Sequence, residues 1–574
     1  MRSLCGAIPA VRHAVHFMLL FSAFLAITLS GCSSEPVVAG RSLKADSLSE
    51  SKRREFVAAL LLNVKGEHRA AVDRYRALLQ SDASSPAINY ALSRSFYGIG
   101  VSDSARFYSE KSVKLDPSNT YYLRYLAELS HQMTDYTYAA GLYQRLVTLE
   151  PGRPENLSLL ALEYLSADQP EKALAVFQEI LRIDPKNETT QAQVLLLEIK
   201  LRHYQNAIGT LNELVEQGNG KEKLRLTLGE LYLQTGQYES AFKSFRDVIN
   251  DNPLYVPAWL ALFEVSVQSG NRETFLNDLH RFHLLGRIGA DQKIAVARLF
   301  LIRSLKDSAY EAPAQVMISE LNRHYPRNGS VYLLRGQSLL QRQDAQGAER
   351  YFRKARSFVP GNPVIDEALV SAYIMQKAYH KASSIIVRAK KRYPVLAMRF
   401  RVMEGDLLYQ EGKLDRAVLL LENVMQSINV KTEKDLYLQA AGILALCYDR
   451  QGLSVKSIRL YEEVLQLDPG NALAMNNIAY MLAEQGKDLS RAKTLAMKAV
   501  AAEPLSASYL DTLGWILYRM GEYDKSRELL EKAAGLNAQE AEIFDHLAQV
   551  YDKLGNMQKA AETRDKLRKL KGKP

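Results

Sequence analysis

The chain has 574 residues, more than a single hydrophobic core normally supports, which excludes one small compact domain and leaves several domains or a repeat array. Apolar residues at 47% and charged residues at 24% are typical of a folded protein and do not separate these two arrangements. The formal net charge of +10 is modest for this length, so the choice depends on periodicity.

The first 31 residues have the pattern of a secretory signal peptide. Arg2 and Arg12 precede an apolar run at 17–29, which is bounded by small residues. The run is 13 residues long, whereas a helix that crosses a bilayer core needs about 20, so a permanent transmembrane anchor is the weaker interpretation. Removal of residues 1–31 takes away two arginines and no acid, which lowers the net charge from +10 to +8.

The end of this segment carries a second signal, formed by Leu29, Ser30, Gly31 and Cys32. These residues resemble the lipobox of bacterial lipoproteins, and the resemblance implies that Cys32 is acylated with palmitate or a similar chain. Two or three acyl chains anchor a protein stably, where one is marginal. The alternative is ordinary secretion with an incidental cysteine. Ser33, which is not aspartate, implies sorting to the outer membrane, facing the periplasm.

The three cysteines of the chain exclude an intramolecular disulfide. Cys5 leaves with the signal peptide and Cys32 carries the lipid, so Cys447 remains alone. Cys447 lies among apolar residues on a predicted helix, which favours a buried structural thiol over a reactive one.

From about residue 52 onward the sequence repeats every 34 residues. Alanine recurs at this step without an insertion, at Ala71, Ala105, Ala139, Ala173, Ala207 and Ala241. Proline follows the same step at Pro117, Pro151 and Pro185, and it returns at Pro253. This period resembles the tetratricopeptide repeat, a helix-turn-helix unit. The resemblance implies an all-α fold, a right-handed superhelical solenoid of about fifteen units, with almost no chain left for a separate catalytic domain.

One unit shows why these residue types recur. Gly229 and Ala241 are small where the two helices of a hairpin cross closely, and Phe245 fills the space between the helices. Gly236 is expected to end the first helix with a positive φ. Pro253 cannot continue the second helix. Each residue type therefore has a packing role, and none requires a catalytic one.

The strength of the pattern divides the chain into five predicted segments. They are the lipoprotein signal peptide (1–31), the lipidated flexible tether (32–51), an N-terminal array (52–253), a degenerate region (254–325) and a C-terminal array with a basic tail (326–574). In the degenerate region Phe275 and Leu279 occupy the alanine and phenylalanine positions. We predict two irregular units there, which could act as a hinge because each unit of a solenoid contacts only its neighbours.

No motif in the chain predicts catalysis, a metal or a bound cofactor. His280 and His283 have the spacing of a ligand pair on a helix, but no third ligand is evident nearby. The loop at Gly218 lacks the first glycine and the Ser or Thr of a phosphate loop. The basic tail complements a helix dipole, the alternative being a patch for anionic lipid or nucleic acid. We predict a protein that is not an enzyme, with no small-molecule substrate and, because it is exported, no nucleic-acid partner.

The resemblance also predicts a binding surface. In tetratricopeptide arrays the first helix of each unit lines a concave groove, and positions 2, 5, 9 and 12 of that helix point into it. Counting from the position-15 glycines of the last three units places an acidic and aromatic set there: Asn476, Tyr480, Asp511, Trp515, Tyr518, Asp545, Gln549 and Asp552. Trp515 is the predicted anchor for a partner, the alternative being that it packs against an adjacent unit.

These patterns predict a membrane-anchored scaffold or adaptor in the bacterial cell envelope, which binds protein partners through the concave groove. Its layout is similar to that of lipoproteins in pilus assembly and secretion, outer-membrane assembly and exopolysaccharide export. The alternative is a lipoprotein that binds glycan or peptidoglycan strands, or that activates a cell-wall enzyme.

Overall fold

The computed structural model describes residues 49–217 and 221–572. The predicted signal peptide, Cys32 and nearly all of the tether lie outside the described residues. Within them, every regular element is helical, with thirty α-helices in chain order and two short 3₁₀ segments. Consecutive helices pair as fifteen hairpins, which agrees with the predicted all-α array of about fifteen units.

Of the described residues, those up to Asn252 belong to one compact unit, and those from Pro253 onward belong to a second. The first unit contains six hairpins. Its helices are α1 (Glu50–Val64), α2 (His68–Ser81), α3 (Pro86–Gly98), α4 (Ser102–Leu115), α5 (Thr120–Gln132), α6 (Tyr136–Leu149), α7 (Pro154–Ser166), α8 (Pro170–Ile183), α9 (Glu188–Lys200), α10 (Tyr204–Gln217), α11 (Lys221–Gln234) and α12 (Tyr238–Asp251).

The second unit contains nine hairpins. Its first helices are α13 (Val256–Gln268), α14 (Arg272–Leu284), α15 (Ala290–Arg303), α16 (Glu311–His324), α17 (Gly329–Gln341), α18 (Ala345–Phe358), α19 (Pro363–Met375), α20 (Tyr379–Arg392) and α21 (Ala397–Gln410). They are followed by α22 (Leu414–Ser427), α23 (Lys434–Arg450), α24 (Ser454–Leu467), α25 (Ala472–Glu484), α26 (Leu489–Ala502), α27 (Ala507–Arg519), α28 (Tyr523–Leu536), α29 (Ala541–Lys553) and α30 (Met557–Lys571). The 3₁₀ segments are Ser308–Tyr310 and Pro394–Leu396.

The hairpins pack as the repeat pattern predicts. All six alanines at the 34-residue step are fully buried. A Cβ atom on Gly229 would overlap the ring of Phe245, so this glycine permits the close crossing of α11 and α12. Gly236 has a φ of 74°, which confirms the predicted left-handed turn after the first helix.

The predicted degenerate region is helical, with α13 to α16 and a 3₁₀ turn before α16. Phe275, at the alanine position, is buried, and its ring lies 5.6 Å from that of Phe263 and 6.2 Å from that of Phe300. The Lys293 ammonium group is buried and donates hydrogen bonds to the carbonyls of His283 (2.9 Å) and Leu285 (3.0 Å). In this region aromatic packing and a buried lysine therefore take the place of the close helix crossing that small residues allow in the regular hairpins.

No helix within the described ranges is both long enough and apolar enough to cross a membrane.

Candidate partner-binding groove

The eight predicted groove residues lie on three helices, α25, α27 and α29, which are the first helices of the last three hairpins. Helix α27 contacts both α25 and α29, so the three form one continuous surface. Gly486, Gly521 and Gly555 end these helices with φ values of 62°, 82° and 73°. These turns set a common register, which places equivalent positions of the three helices side by side.

Trp515 is the central residue of this surface, and it is largely buried, with 8% of its area exposed. Its indole ring stacks on the His546 ring at 4.2 Å and on the Tyr518 ring at 4.9 Å. Its Nε1–H donates a hydrogen bond to Glu484 Oε1 at 2.7 Å. Trp515 thus bridges α25 and α29, which favours the alternative that it packs between adjacent units. In the unbound protein it forms the floor of the groove.

Asp511 and His546 form a buried pair beneath the same surface. The His546 Nδ1 atom lies 2.9 Å from Asp511 Oδ1. Burial raises the pKa of Asp511, and the neighbouring His546 offsets only part of this effect. Burial acts to lower the pKa of His546, but Asp511, Glu542 and Asp545 outweigh it, so that pKa is raised. The imidazole is therefore held in a strongly acidic environment.

Tyr480 connects the first and third helices of the site. Its hydroxyl donates a hydrogen bond to Glu542 Oε1 at 2.7 Å, across the 62 residues that separate them in sequence. Burial and the Glu542 carboxylate raise the pKa of Tyr480. Asn476, on the same helix as Tyr480, is buried, and its side-chain oxygen has no hydrogen-bond partner. A group that entered the groove could satisfy this oxygen only after a small local movement.

The remaining predicted residues lie along α29 and are partly exposed. Gln549 donates a hydrogen bond to Asp545 at 3.3 Å, and Asp552 pairs with Arg564 of α30. Asp545 forms no ion pair with a lysine or arginine among the described residues. Of the acids on α29, Glu542 and Asp545 are therefore the most available to a cationic partner.

The acidic character continues along the first helices of earlier hairpins in the same unit. Asp406, at the ninth position of its repeat, accepts a hydrogen bond from Gln410 at 3.3 Å, and burial raises its pKa. Burial also raises the pKa of Asp449. A shallow cavity beside Asp406 is lined by Glu367, Arg399, Val402, Met403, Asp406, Gln439 and Ile443. Glu367 pairs with Arg399 in this cavity at 2.8 Å. Asp406 and Asp449 are desolvated and form no salt bridge among the described residues, so a basic ligand would stabilise their charged forms.

Three contributing residues were not among those predicted from the sequence. Glu542 stands at position 2 of its repeat, a groove position by the same counting, so the sequence carried a signal for it. Glu484 and His546 stand at other positions and reach the site only because they pack against Trp515. The repeat pattern does not predict such contacts between neighbouring units.

The other sequence features with possible chemistry are structural. His283 is buried and stacks on His324 at 5.1 Å, and burial lowers its pKa to about 3. No cluster of three or more metal-ligating side chains occurs among the described residues. Cys447 is buried as predicted, and burial raises its pKa to about 11, so it is an unreactive thiol rather than a thiolate.

The first compact unit carries a separate aromatic surface on α3 and α5. The Tyr90 ring lies 5.1 Å from the rings of both Tyr121 and Tyr125. Tyr97 and Tyr121 are 43% and 51% exposed, whereas tyrosines at packing positions are buried. The pKa of the neighbouring Arg94 is raised by these phenol groups, although burial acts to lower it. Part of the tyrosine content is therefore surface, not core.

Comparison with protein families agrees with the hairpin geometry. Models described as tetratricopeptide repeat match residues 223–252, 318–363 and 512–571. A further model, described as subunit 3 of the anaphase-promoting complex or cyclosome, matches residues 132–214. This chain is a tetratricopeptide repeat protein. The match at 512–571 includes most of α27 and all of α28 and α29, so much of the candidate groove belongs to recognisable tetratricopeptide units.

The chain is also similar to two bacterial proteins and to one solved structure. The chain is 23% identical over 485 residues to cellulose synthase operon protein C of Pseudomonas fluorescens, covering 78% of this chain and 36% of that protein. It is 22% identical over 299 residues to lipopolysaccharide assembly protein B of Escherichia coli K12, covering 50% of this chain and 75% of that protein. The crystal structure of the APC/C hetero-tetramer Cut9–Hcn1 aligns with a TM-score of 0.38 at 13% identity, covering 79% of this chain and 94% of that one.

Proposed function

We propose that this protein is a lipid-anchored scaffold or adaptor of the bacterial cell envelope, facing the periplasm from the outer membrane, and that it holds protein partners during assembly or export. Three observations support this proposal. The repeat array accounts for the described chain without a catalytic domain. Relatives at low identity carry the names cellulose synthase operon protein C and lipopolysaccharide assembly protein B. The lipobox at Cys32 supports the anchor.

The groove on α25, α27 and α29 is the proposed binding site, and its partner is a basic polypeptide segment, helical or extended. The observation that carries this proposal is the set of acids around Trp515: Asp511 is buried and paired with His546, Asp545 is half-buried, and Glu484 and Glu542 are exposed. None of these four forms an ion pair with a lysine or arginine among the described residues. Desolvated carboxylates bind a lysine or arginine more tightly than exposed ones do. Tyr480 and Tyr518, at the rim of the stacked aromatic floor, supply the apolar contacts.

The test reverses one groove charge and compares it with a matched reversal outside the groove. Asp545→Lys replaces an acid of the groove by a cation. The new lysine would repel the basic segment of the partner, so the complex should be weakened by about tenfold or more. Asp524→Lys makes the same change on an exposed residue of α28 and should leave binding unaltered. The measurement is quantitative co-purification of partners from envelope extracts, with the melting temperature of each variant recorded. Equal loss in both variants, or in neither, would refute the groove.

The second candidate function is capture of a glycan or peptidoglycan strand, and one observation favours it. Tyr121 is 51% exposed and interacts with Arg94, and Tyr97 is 43% exposed on the same helix as Arg94. Aromatic faces next to hydrogen-bond donors suit a sugar ring. Tyr121→Ala would then abolish sedimentation with purified peptidoglycan while co-purification of protein partners persists. Unchanged sedimentation, or none by the unmodified protein, would exclude this candidate.

A further inference from the structure

The two ends of the repeat array differ in the face that they present. At the C-terminal end, α30 exposes charged side chains, among them Glu562, Lys566 and Lys569, as a terminal repeat should. At the N-terminal end, α1 exposes four aliphatic side chains: Val57 (47%), Leu60 (41%), Leu61 (55%) and Val64 (78%). An exposed aliphatic group on a terminal helix indicates that something covers it.

The register of the repeat explains why this face is apolar. Residues 34 positions after Val57 and Leu61 are Ala91 and Ser95, and both are buried within the first unit. One repeat further, Leu129 takes the place of Ser95 and is buried as well. In these later hairpins the residues equivalent to Val57 and Leu61 are covered by other residues of the array. In α1 the same positions remain exposed, so they form a surface suited to an external partner.

The arrangement of charges on α1 identifies the kind of partner. At 100° per residue, Val57, Leu60, Leu61 and Val64 fall within a stripe about 100° wide, which also contains Glu50 and Arg53 in the first turn. Arg54 and Lys65 stand beside the stripe, and both are exposed. Arg54 pairs with Glu50 at 2.6 Å, so the acid in the stripe has a basic partner. An exposed aliphatic stripe with cations in it and at its edge can bury its apolar side chains in an anionic bilayer interface while the cations stay at the headgroups.

We propose that α1 rests on the membrane surface, with its aliphatic stripe in the interface and Arg53, Arg54 and Lys65 among anionic headgroups. This inference rests on the proposed lipid anchor at Cys32. The 16 residues at 33–48 separate that cysteine from residue 49, and a chain of this length reaches about 55 Å at most. The anchor thus holds α1 at a high local concentration beside the bilayer.

Two other occupants fit the observations less well. A second copy stacked head to tail would bring the charged face of α30 against the aliphatic stripe, which is unfavourable. The tether itself contains Pro36, Gly40 and several charged residues and has no apolar run that matches the stripe. Both occupants are outcomes that the experiment can distinguish.

The test uses the full lipidated protein in vesicles of phosphatidylethanolamine and phosphatidylglycerol. A bimane label at Leu61→Cys reports on α1, and the same label at Val455→Cys, which is 83% exposed on α24, is the control. Cys447 is buried, so it does not compete for the label. We expect a blue shift and loss of most emission at position 61 when the vesicles contain doxyl-labelled lipid, and no change at position 455. Arg53→Glu with Arg54→Glu should reduce the quenching at position 61.

Each other result overturns the proposal in a recognisable way. If the label at position 61 shifts to the blue without vesicles and the shift grows with protein concentration, a second copy of the chain covers the stripe. If the shift occurs without vesicles at every concentration, the tether covers it. Acylation is read separately from the mass of the N-terminal peptide. Acylation without quenching refutes the contact of α1 and leaves the anchor standing. An absence of acyl groups refutes the anchor, and added vesicles then show whether the unlipidated chain still binds through α1.

Discussion

At the scale of residues, the central feature is the network that joins buried Trp515, His546 and Asp511 to the exposed carboxylate of Glu484. The indole is stacked on the imidazole, and each ring has a carboxylate as hydrogen-bond partner. This arrangement gives the indole a fixed orientation. A partner therefore meets a preorganised floor, and binding requires little ordering of side chains.

The raised pKa of His546 makes a specific prediction about pH. The pKa of His546 is higher in the folded protein than its ordinary value of 6.5. Its protonated form therefore stabilises the fold fully at pH values below 6.5, and this contribution is lost as the pH rises through the pKa of the folded state. The groups that face it are Asp511 of α27 and Glu542 and Asp545 of α29. Between about pH 6 and pH 9 the melting temperature of the unmodified protein should fall more than that of His546→Gln.

The matched control is His380→Gln, which removes an exposed histidine from α20. It should retain the full pH dependence of the unmodified protein. If the melting temperatures of the unmodified protein and of His546→Gln fall equally with pH, the pair with Asp511 contributes nothing to stability in this pH range.

At the scale of elements, the hairpins were predictable from sequence wherever the 34-residue pattern is intact, because small residues at the crossing and a left-handed turn after the first helix determine the hairpin geometry. The turn residue is often glycine, but Thr134, Asp168 and Arg202 also adopt a positive φ there. The lysine inside the irregular region was not predictable. Lys293 is buried because three local oxygen acceptors surround its ammonium group, two carbonyls and the hydroxyl of Tyr325 at 3.2 Å. A linear pattern does not show such an arrangement. The burial of Trp515 depends in the same way on residues from two other hairpins.

The irregular hairpin of α13 and α14 should depend on its large aromatic residue, not on a close crossing. Phe275→Ala should lower the free energy of unfolding by about 3–5 kcal/mol, because it removes a buried ring from a cluster that cannot fully collapse. The control is Leu276→Ala, the next residue along α14, which is 38% exposed and should have a much smaller effect. Chemical denaturation of both variants gives the comparison. Similar midpoints would mean that the aromatic cluster is not the core of this hairpin.

At the scale of the whole molecule, the fifteen hairpins follow from the repeat, and the division into two compact units follows from contacts that sequence shows only indirectly. The sequence predicts weakened repeats at 254–325, and the second compact unit begins at Pro253. A hinge in this region remains a prediction. Repeat numbering predicts which positions line the candidate groove, but it does not predict which of their side chains are accessible. That depends on packing between neighbouring hairpins.

The central proposal is that the face of α25, α27 and α29 holds a basic polypeptide. Site-specific photocrosslinking in living cells tests it most directly, with the photoreactive residue at Gln549, which is partly exposed in the candidate groove, and a control at Asp524 on α28. We expect a discrete crosslinked protein from position 549 only, with the linked peptide rich in lysine and arginine and the yield reduced by Asp545→Lys. Identical products from both positions, or a linked segment that is acidic, would contradict it.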